Sequence, residues 1–287
     1  MSHRLTPAEL YPAGVVGVDV RFIRLVTGVT VRVAESGPMD GVPLVMLHGW
    51  GGSLYMWRYA FDILPAFGIR AIGVDLRGFG LSDRPREHDA YTLDAYCAEV
   101  DALFDALDIA RGALLGHSMG GALALHYALR RPGRVSRLAL INPAGLTRLL
   151  YPTVARAIPR AAMAAISERV VTRTLIRFVL RRLVYWDSSK VTEQDVDQYW
   201  SPTQLPGFVH AASETLRTFD WHPVGAAAES LAMPTMVVLG RNDRLIRHER
   251  AAAARLPNVA VHDLAGGHGV HEERPRDVYE LVGPFVR

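Results

Sequence analysis

The sequence has little of several features that would point to particular classes of function. Cys97 is its single cysteine, which excludes an internal disulfide and a thiolate metal cluster in this 287-residue chain. The formal net charge is only +3, too small to favour nucleic acid as a partner. No apolar run approaches the roughly 18 residues of a membrane span. The first residues also lack the basic-then-apolar layout of a signal peptide, so we expect a cytoplasmic globular protein.

Motifs for cofactors are also missing. The sequence contains no phosphate-binding loop, no nucleotide-binding glycine fingerprint and no cluster of His, Asp and Glu at metal-ligand spacing. We therefore predict that the protein uses neither a cofactor nor a metal ion.

The segments that are present alternate between short apolar runs and longer stretches of helical periodicity. This alternation is typical of a mostly parallel sheet with crossover helices. An antiparallel hairpin is predicted first, and six buried strands follow it: the hairpin at residues 20–26 and 29–37, then strands at 43–49, 69–76, 112–118, 135–143, 234–240 and 258–266. The predicted fold class is α/β, a doubly wound and mostly parallel sheet of eight strands. Residues 91–109 predict a helix with one apolar face, which places Cys97 in the core.

The alternation of strands and helices stops once along the chain. From about residue 145 to residue 221 only helical patterns appear, and then the strand pattern resumes. An insertion here fits a helical cap over the carboxyl edge of the sheet, where open α/β folds bind ligands. We therefore predict a core made of residues 1–145 and 222–287, with a helical cap or lid at residues 146–221.

Ser118 lies where a predicted strand ends and a predicted helix begins, between two glycines. A sharp turn here would lift its hydroxyl above the edge of the sheet, and a Cβ on Gly116 or Gly120 would crowd that turn. The G-x-S-x-G pattern is short enough to arise by chance, so by itself it also allows a plain glycine-rich turn. The rest of the chain has to decide between a nucleophile and a small turn residue.

A serine nucleophile needs a base, and the base needs an orienting acid. Asp243 follows the predicted strand at 234–240, and His268 lies in a glycine-rich loop after the next strand. Ser118, Asp243 and His268 are thus predicted at three strand ends on one edge, in the chain order Ser, Asp, His. Other residues fit these two roles less well, namely His271, Asp263 and Asn142.

Acyl transfer also requires two donors for the oxyanion. The amide of Met119, directly after the nucleophile, is the first candidate. The loop at residues 48–53 has little side-chain bulk and suits a close backbone approach, so the Trp50 amide is the second. An ordinary turn would explain the glycines of this loop equally well.

With these motifs the chain resembles the α/β-hydrolase fold family, in its branch with a helical cap. The matching segments run in the family's order: HGWGGS (48–53), DLRGFGLSDRP (75–85), GHSMGG (116–121), GRNDRLI (240–246) and GGHGVHEERP (266–275). The resemblance implies catalytic roles for Ser118, Asp243 and His268. It also implies that His48 and the loop at residues 75–82 are structural supports.

Within that family the reaction depends on which residue occupies the sharp turn, here called the elbow, at the position of Ser118. Haloalkane dehalogenases and epoxide hydrolases have a carboxylate there, whereas this chain has Ser118, which favours hydrolysis of small hydrophobic carboxylic esters through an acyl-enzyme. A hydrolase of carbon–carbon bonds is the alternative, although those enzymes typically show HG-x-G-P-G where this chain reads HGWGGS. Lyases, cofactor-free perhydrolases and a non-catalytic ligand receptor on the same scaffold also remain open.

The predicted cap carries arginines at every fourth position, which places them along one flank of a helix. They are Arg169, Arg173, Arg177 and Arg181. A solvated basic face is the plain interpretation. The alternatives are contact with an anionic membrane surface or a gate for anionic substrates.

Overall fold

A computed structural model describes residues 4–147, 168–246 and 250–287. Eight strands form one sheet in the order β1-β2-β4-β3-β5-β6-β7-β8. Their bounds are β1 Asp19–Arg24, β2 Thr30–Ser36, β3 Val42–Leu47, β4 Ile69–Asp75, β5 Gly112–His117, β6 Val135–Ile141, β7 Thr235–Gly240 and β8 Val259–Leu264. Strands β3 to β8 are mutually parallel, and β2 joins them antiparallel through β4. The predicted eight-stranded, mostly parallel α/β sheet, with its opening hairpin at the edge, is confirmed.

Nine α-helices occur among the described residues. They are α1 Arg58–Ile63, α2 Leu93–Ala106, α3 Met119–Arg130, α4 Arg173–Val179, α5 Glu193–Trp200, α6 Phe208–Thr218, α7 Arg250–Ala253, α8 Val270–Glu273 and α9 Pro275–Val286. Within the described ranges, none is both long and apolar enough to cross a membrane. Helix α2 is the one predicted at residues 91–109, and Cys97 is buried on it as expected. Burial raises the pKa of the Cys97 thiol to about 11.

The sheet is covered by helices on both faces. Because neighbouring residues of a strand point to opposite faces, Val45 and Leu47 pack into one apolar core while Leu44 and Met46 pack into the other. Buried side chains of α2 and α3 complete the first core, and those of α1 and α9 complete the second. The central strands are therefore apolar on both sides, which is why they appear in the sequence as continuous apolar runs.

A helical segment interrupts the chain between β6 and β7. Its described residues form α4, α5 and α6 and contain no strand, as the sequence pattern indicated. Helix α6 packs its apolar face into the first core, whereas Leu180, Tyr185, Val191 and Val196 form a small cluster of their own. We refer to the described residues 168–221 as the insertion. The proposed cap boundaries at 146 and 221 remain a prediction, and residues 148–167 lie outside the described part.

Candidate active site

Ser118 occupies a sharp turn between the last residue of β5 and the first residue of α3. Its backbone angles are φ 53° and ψ −116°, a conformation that residues other than glycine seldom adopt. Two hydrogen bonds hold this conformation: Ser118 N donates to Ile141 O at 3.1 Å, and Ala144 N donates to Ser118 O at 2.9 Å. Strand β6 and the residues after it therefore brace the turn on which the hydroxyl is presented.

The glycines around Ser118 are required by close packing. A Cβ on Gly120 would overlap the carbonyl oxygen of Leu47, and a Cβ on Gly116 would overlap that of Gly120. A Cβ on Gly49 would lie 3.1 Å from the Ser118 Cβ. The loop after β3 and the turn after β5 are thus in direct contact, as the steric interpretation of the two elbow glycines predicted.

Asp243 and His268 lie next to each other, on the loops after β7 and β8. Oδ2 of Asp243 lies 2.7 Å from Nδ1 of His268, and both side chains are almost fully buried. The other carboxylate oxygen, Oδ1, accepts the amides of Leu245 and Ile246 at 2.8 and 2.9 Å. The carboxylate is therefore fixed within its own loop, and this is the arrangement that orients an imidazole base.

The structure brings His268 next to the Ser118 turn without a direct bond between the two side chains. His117, which precedes the serine, places its ring 4.7 Å from the His268 ring and its Nε2 2.9 Å from the His268 carbonyl. Among the described residues, Ser118 Oγ makes no hydrogen bond to His268. Hydrogen bonds between a nucleophile and its base are often long before substrate binds. The absence of this bond is therefore compatible with His268 acting as the base of Ser118.

Asn142 hydrogen-bonds to both the end of β7 and the His268 loop, and no local sequence pattern indicates these bonds. Its Oδ1 accepts from Gly240 N at 2.7 Å, while its Nδ2 donates to Gly267 O and His268 O at 3.0 and 2.9 Å. The residue follows β6 with φ 40° and is fully buried. The sequence offers Asn142 only as a weaker candidate for the acid; in the structure it fastens the strand end before Asp243 to the loop of His268.

The two predicted oxyanion donors lie at the Ser118 turn. Met119 is the first residue of α3, and Trp50 follows Gly49, which packs against the serine. Within the described ranges, neither backbone amide donates to another group of the protein. The indole of Trp50 donates to Ala212 O at 2.9 Å, which connects this loop to helix α6 of the insertion.

His48 and Asp75 support the loops around the turn. Nε2 of His48 accepts from Leu76 N at 3.0 Å, and burial lowers the pKa of this imidazole. The Asp75 carboxylate accepts the amides of Leu54 and Leu81 at 2.7 and 2.9 Å. These contacts agree with the structural roles that the resemblance implied.

Two of the disfavoured candidates, His271 and Asp263, have surroundings that differ from those of the acid–base pair. His271 is fully buried on α8, and neither ring nitrogen has a hydrogen-bond partner among the described residues. Asp263 lies on β8 and pairs with Arg250. Across residues 4–147, 168–246 and 250–287, no three His, Cys, Asp or Glu side chains are grouped as metal ligands.

Most of the predicted arginine flank is ion-paired inside the insertion. Arg173 bonds to Glu193 at 2.6 Å and to Asp197 at 2.5 Å, Arg177 bonds to Glu193 at 2.6 Å, and Arg181 lies 3.6 Å from Glu193. Glu193 responds with a pKa lowered to about 2 by its hydrogen bonds to Arg177 and Arg173. These contacts join α4 to α5. Contact of this flank with a membrane surface stays a prediction.

Comparison with known proteins agrees with the fold and the motifs. The model of the alpha/beta hydrolase fold family matches residues 42–275. The AB hydrolase superfamily protein YisY of Bacillus subtilis is 30% identical over 275 residues, covering 92% of this chain and 98% of the relative. The 2-hydroxy-6-oxo-2,4-heptadienoate hydrolase of Pseudomonas putida is 27% identical over 282 residues, covering 94% and 98%. A solved meta-cleavage product hydrolase from Pseudomonas fluorescens has a TM-score of 0.78 at 24% identity, covering 92% and 96%. The chain belongs to the α/β-hydrolase fold family.

Proposed function

We propose that the protein is a serine hydrolase that cleaves carboxylic esters of small to medium hydrophobic substrates through an acyl-enzyme. The observation that carries this proposal is the strained turn at Ser118, placed beside an imidazole whose Nδ1 is 2.7 Å from a buried carboxylate. A protein seldom keeps a non-glycine residue in such a conformation unless function requires it. A serine at this position attacks acyl carbon, which distinguishes the proposal from alkyl-transfer chemistry.

In the proposed reaction each of these groups has one role. Nε2 of His268 takes the proton of the Ser118 hydroxyl while Oγ attacks the ester carbonyl, and Asp243 stabilises the resulting imidazolium. The amides of Trp50 and Met119 receive the negative charge that develops on the carbonyl oxygen. His268 then gives its proton to the departing alkoxide. Water, deprotonated by His268, then attacks the acyl-enzyme carbonyl, and His268 returns that proton to Ser118 Oγ as the bond to the acyl carbon breaks and the acid leaves.

Exposed apolar side chains around the site support a hydrophobic substrate. Trp50 on the loop after β3 is 43% exposed to solvent, and Leu245 on the loop after β7 is 37% exposed. Trp186, in the insertion, is 48% exposed. Each belongs to a segment that contacts the serine turn or the acid–base pair. Apolar groups left accessible around convergent polar groups are typical of a small-molecule site.

The test is a series of p-nitrophenyl esters of increasing acyl length, combined with labelling by a fluorophosphonate. We expect turnover of short to medium esters, and labelling that disappears in Ser118→Ala. Loss of the nucleophile should lower kcat on the order of a millionfold, while the variant keeps the parent's circular dichroism spectrum and unfolding midpoint. A Ser118→Ala rate within tenfold of the parent would contradict the assignment.

Hydrolysis of a carbon–carbon bond is the second candidate, and one observation favours it. The relative from Pseudomonas putida, whose name gives 2-hydroxy-6-oxo-2,4-heptadienoate as substrate, aligns with nearly the whole chain. Against it, the loop at residues 48–53 reads HGWGGS without the proline that those enzymes typically carry. A 2-hydroxy-6-oxo-dienoate assayed beside the esters separates the two candidates. A protein that binds these compounds but takes up no fluorophosphonate would instead be a receptor.

A further inference from the structure

Glu273 is a buried carboxylate at the end of α8, five residues after His268, and the proposed mechanism does not use it. Its side chain accepts three backbone amides. Oε1 accepts Gly267 N at 2.6 Å and Trp186 N at 3.1 Å, and Oε2 accepts Asp187 N at 2.9 Å. One of these amides belongs to the residue directly before His268. The other two belong to the insertion.

The insertion and the His268 loop also touch directly. Gly269 N donates to Val184 O at 2.9 Å, and a Cβ on Gly267 would lie 2.5 Å from Val184 O and 2.6 Å from Trp186 N. On its other side, Gly267 O accepts from Asn142 at 3.0 Å. The residue before His268 is therefore held by its N–H through Glu273 and by its C=O through Asn142.

We propose that Glu273 is a positioning residue that couples the insertion to His268. A carboxylate can accept at both oxygens, so it satisfies amides from two segments at once and fixes their relative position. If residues 186–187 shift, the carboxylate shifts with them, and so does the peptide that carries His268. This inference rests on the proposed function, because it assigns His268 the role of base.

The neighbouring Glu272 shows that the arrangement is specific to Glu273. Glu272 is equally buried on α8, but its carboxylate pairs with Arg58 and accepts from the Tyr199 hydroxyl at 2.7 Å. It thus also contacts the insertion, without a side-chain bond to the His268 loop. The two glutamates allow attachment of the insertion to be separated from positioning of the base.

The test is Glu273→Gln assayed with p-nitrophenyl acetate, whose short acyl group gives the insertion little to bind. A glutamine keeps one acceptor oxygen but has an NH₂ group in place of the other oxygen. That NH₂ group then faces at least one backbone N–H that also donates. We expect kcat to fall at least tenfold while KM changes less than twofold. A role limited to substrate binding would raise KM for long esters and spare kcat for acetate.

Two glutamine variants serve as controls. Glu99→Gln removes a carboxylate that is as buried as Glu273 and accepts Arg77 N at 3.1 Å and Arg77 Nε at 2.6 Å. Glu272→Gln loosens the insertion and leaves the Gly267 bond in place. All variants are assayed at the same interval below their own Tm. Equal loss of kcat in Glu273→Gln and in either control overturns the proposal.

The rate of fluorophosphonate labelling tests the role of Glu273 independently of ester hydrolysis, because labelling of Ser118 requires His268 but no ester substrate. If the wild type is labelled but hydrolyses none of the esters, the ester proposal fails and Glu273→Gln is judged by its labelling rate. Slower labelling than in both controls supports the coupling, and equal labelling overturns it. A wild type that takes up no probe overturns both proposals.

Discussion

At the scale of single residues, the two carboxylate oxygens of Asp243 have different partners. Oδ1 accepts two backbone amides of its own loop, and Oδ2 faces His268 Nδ1. An asparagine cannot replace both contacts, because its NH₂ group must face either two N–H donors or the protonated imidazole nitrogen. The native contacts therefore select the tautomer in which Nε2 of His268 is free to act as a base.

We expect Asp243→Asn to lower kcat for ester hydrolysis by roughly four orders of magnitude through the wrong tautomer, as loss of a triad acid does elsewhere. The measurement is steady-state hydrolysis of a p-nitrophenyl ester. Asp263→Asn is the matched control, since Asp263 lies on the neighbouring β8 and pairs with Arg250. Near-normal turnover by Asp243→Asn would mean that another group orients His268.

Residue patterns identified the proposed catalytic groups but not the residues that contact them. Ser118, Asp243 and His268 follow strand ends, and that is visible in the sequence. Asn142 and His117 both hydrogen-bond to the carbonyl of His268, which lies 126 positions from Asn142 and 151 positions from His117 in the chain. A pattern of nearby residues carries no information about such contacts. The histidine of G-H-S could have been noticed, but nothing local shows what its ring reaches.

At the scale of elements, the sequence predicted a helical cap over the carboxyl edge of the sheet but not which of its residues contact the His268 loop. In the structure Gly269 N donates to Val184 O, and the amides of Trp186 and Asp187 donate to the Glu273 carboxylate. The guanidinium of Arg244, the residue after Asp243, lies 5.0 Å from the centre of the Trp186 ring.

We expect Trp186→Ala to change the preferred acyl length, because its half-exposed ring contacts Arg244, the residue after the proposed acid, and the proposed function leaves the acyl chain to be bound on this side. The ratio of kcat/KM for octanoate to that for acetate should change at least threefold, with the pH profile unchanged. Trp200→Ala is the matched control, because its indole donates to Val171 O within the insertion. A shifted pH profile with unchanged length preference would show that the Trp186 side chain contributes to the chemistry itself.

At the scale of the whole molecule, three imidazoles are fully buried in the core around the site. Burial lowers the pKa of His48, and it lowers the pKa of His117 and His271 well below the ordinary value. Above about pH 6.5 these groups are neutral in both the folded and the unfolded chain. As the pH falls below that value, the unfolded chain takes up protons and the folded chain does not. Stability is therefore lost on acidification, down to the pKa values of the folded state.

We expect the unfolding free energy to fall by up to about 1.4 kcal/mol per pH unit for each buried histidine below about pH 6.5. Glu99 and Glu272, whose pKa values burial raises, act in the opposite direction. The comparison of wild type with His271→Leu in urea unfolding from about pH 7.5 to about pH 5.5 cancels that contribution. On acidification the free energy of unfolding of the variant should fall less than that of the wild type, by the contribution of one histidine. An unchanged slope would mean that His271 takes up its proton as readily in the folded protein as in the unfolded chain.

The α/β sheet, the order of the motifs and the positions of Ser118, Asp243 and His268 after strand ends could be predicted from the sequence alone. This was possible because strand alternation, glycine placement and strand ends are local features, and parallel strands bring their carboxyl ends to one edge. The relation between the insertion and the site was decided only by tertiary structure. Glu273 meets Asp187 and Trp186 across 86 and 87 positions of chain. Such bonds depend on where folding brings two distant segments, and no local periodicity encodes that position.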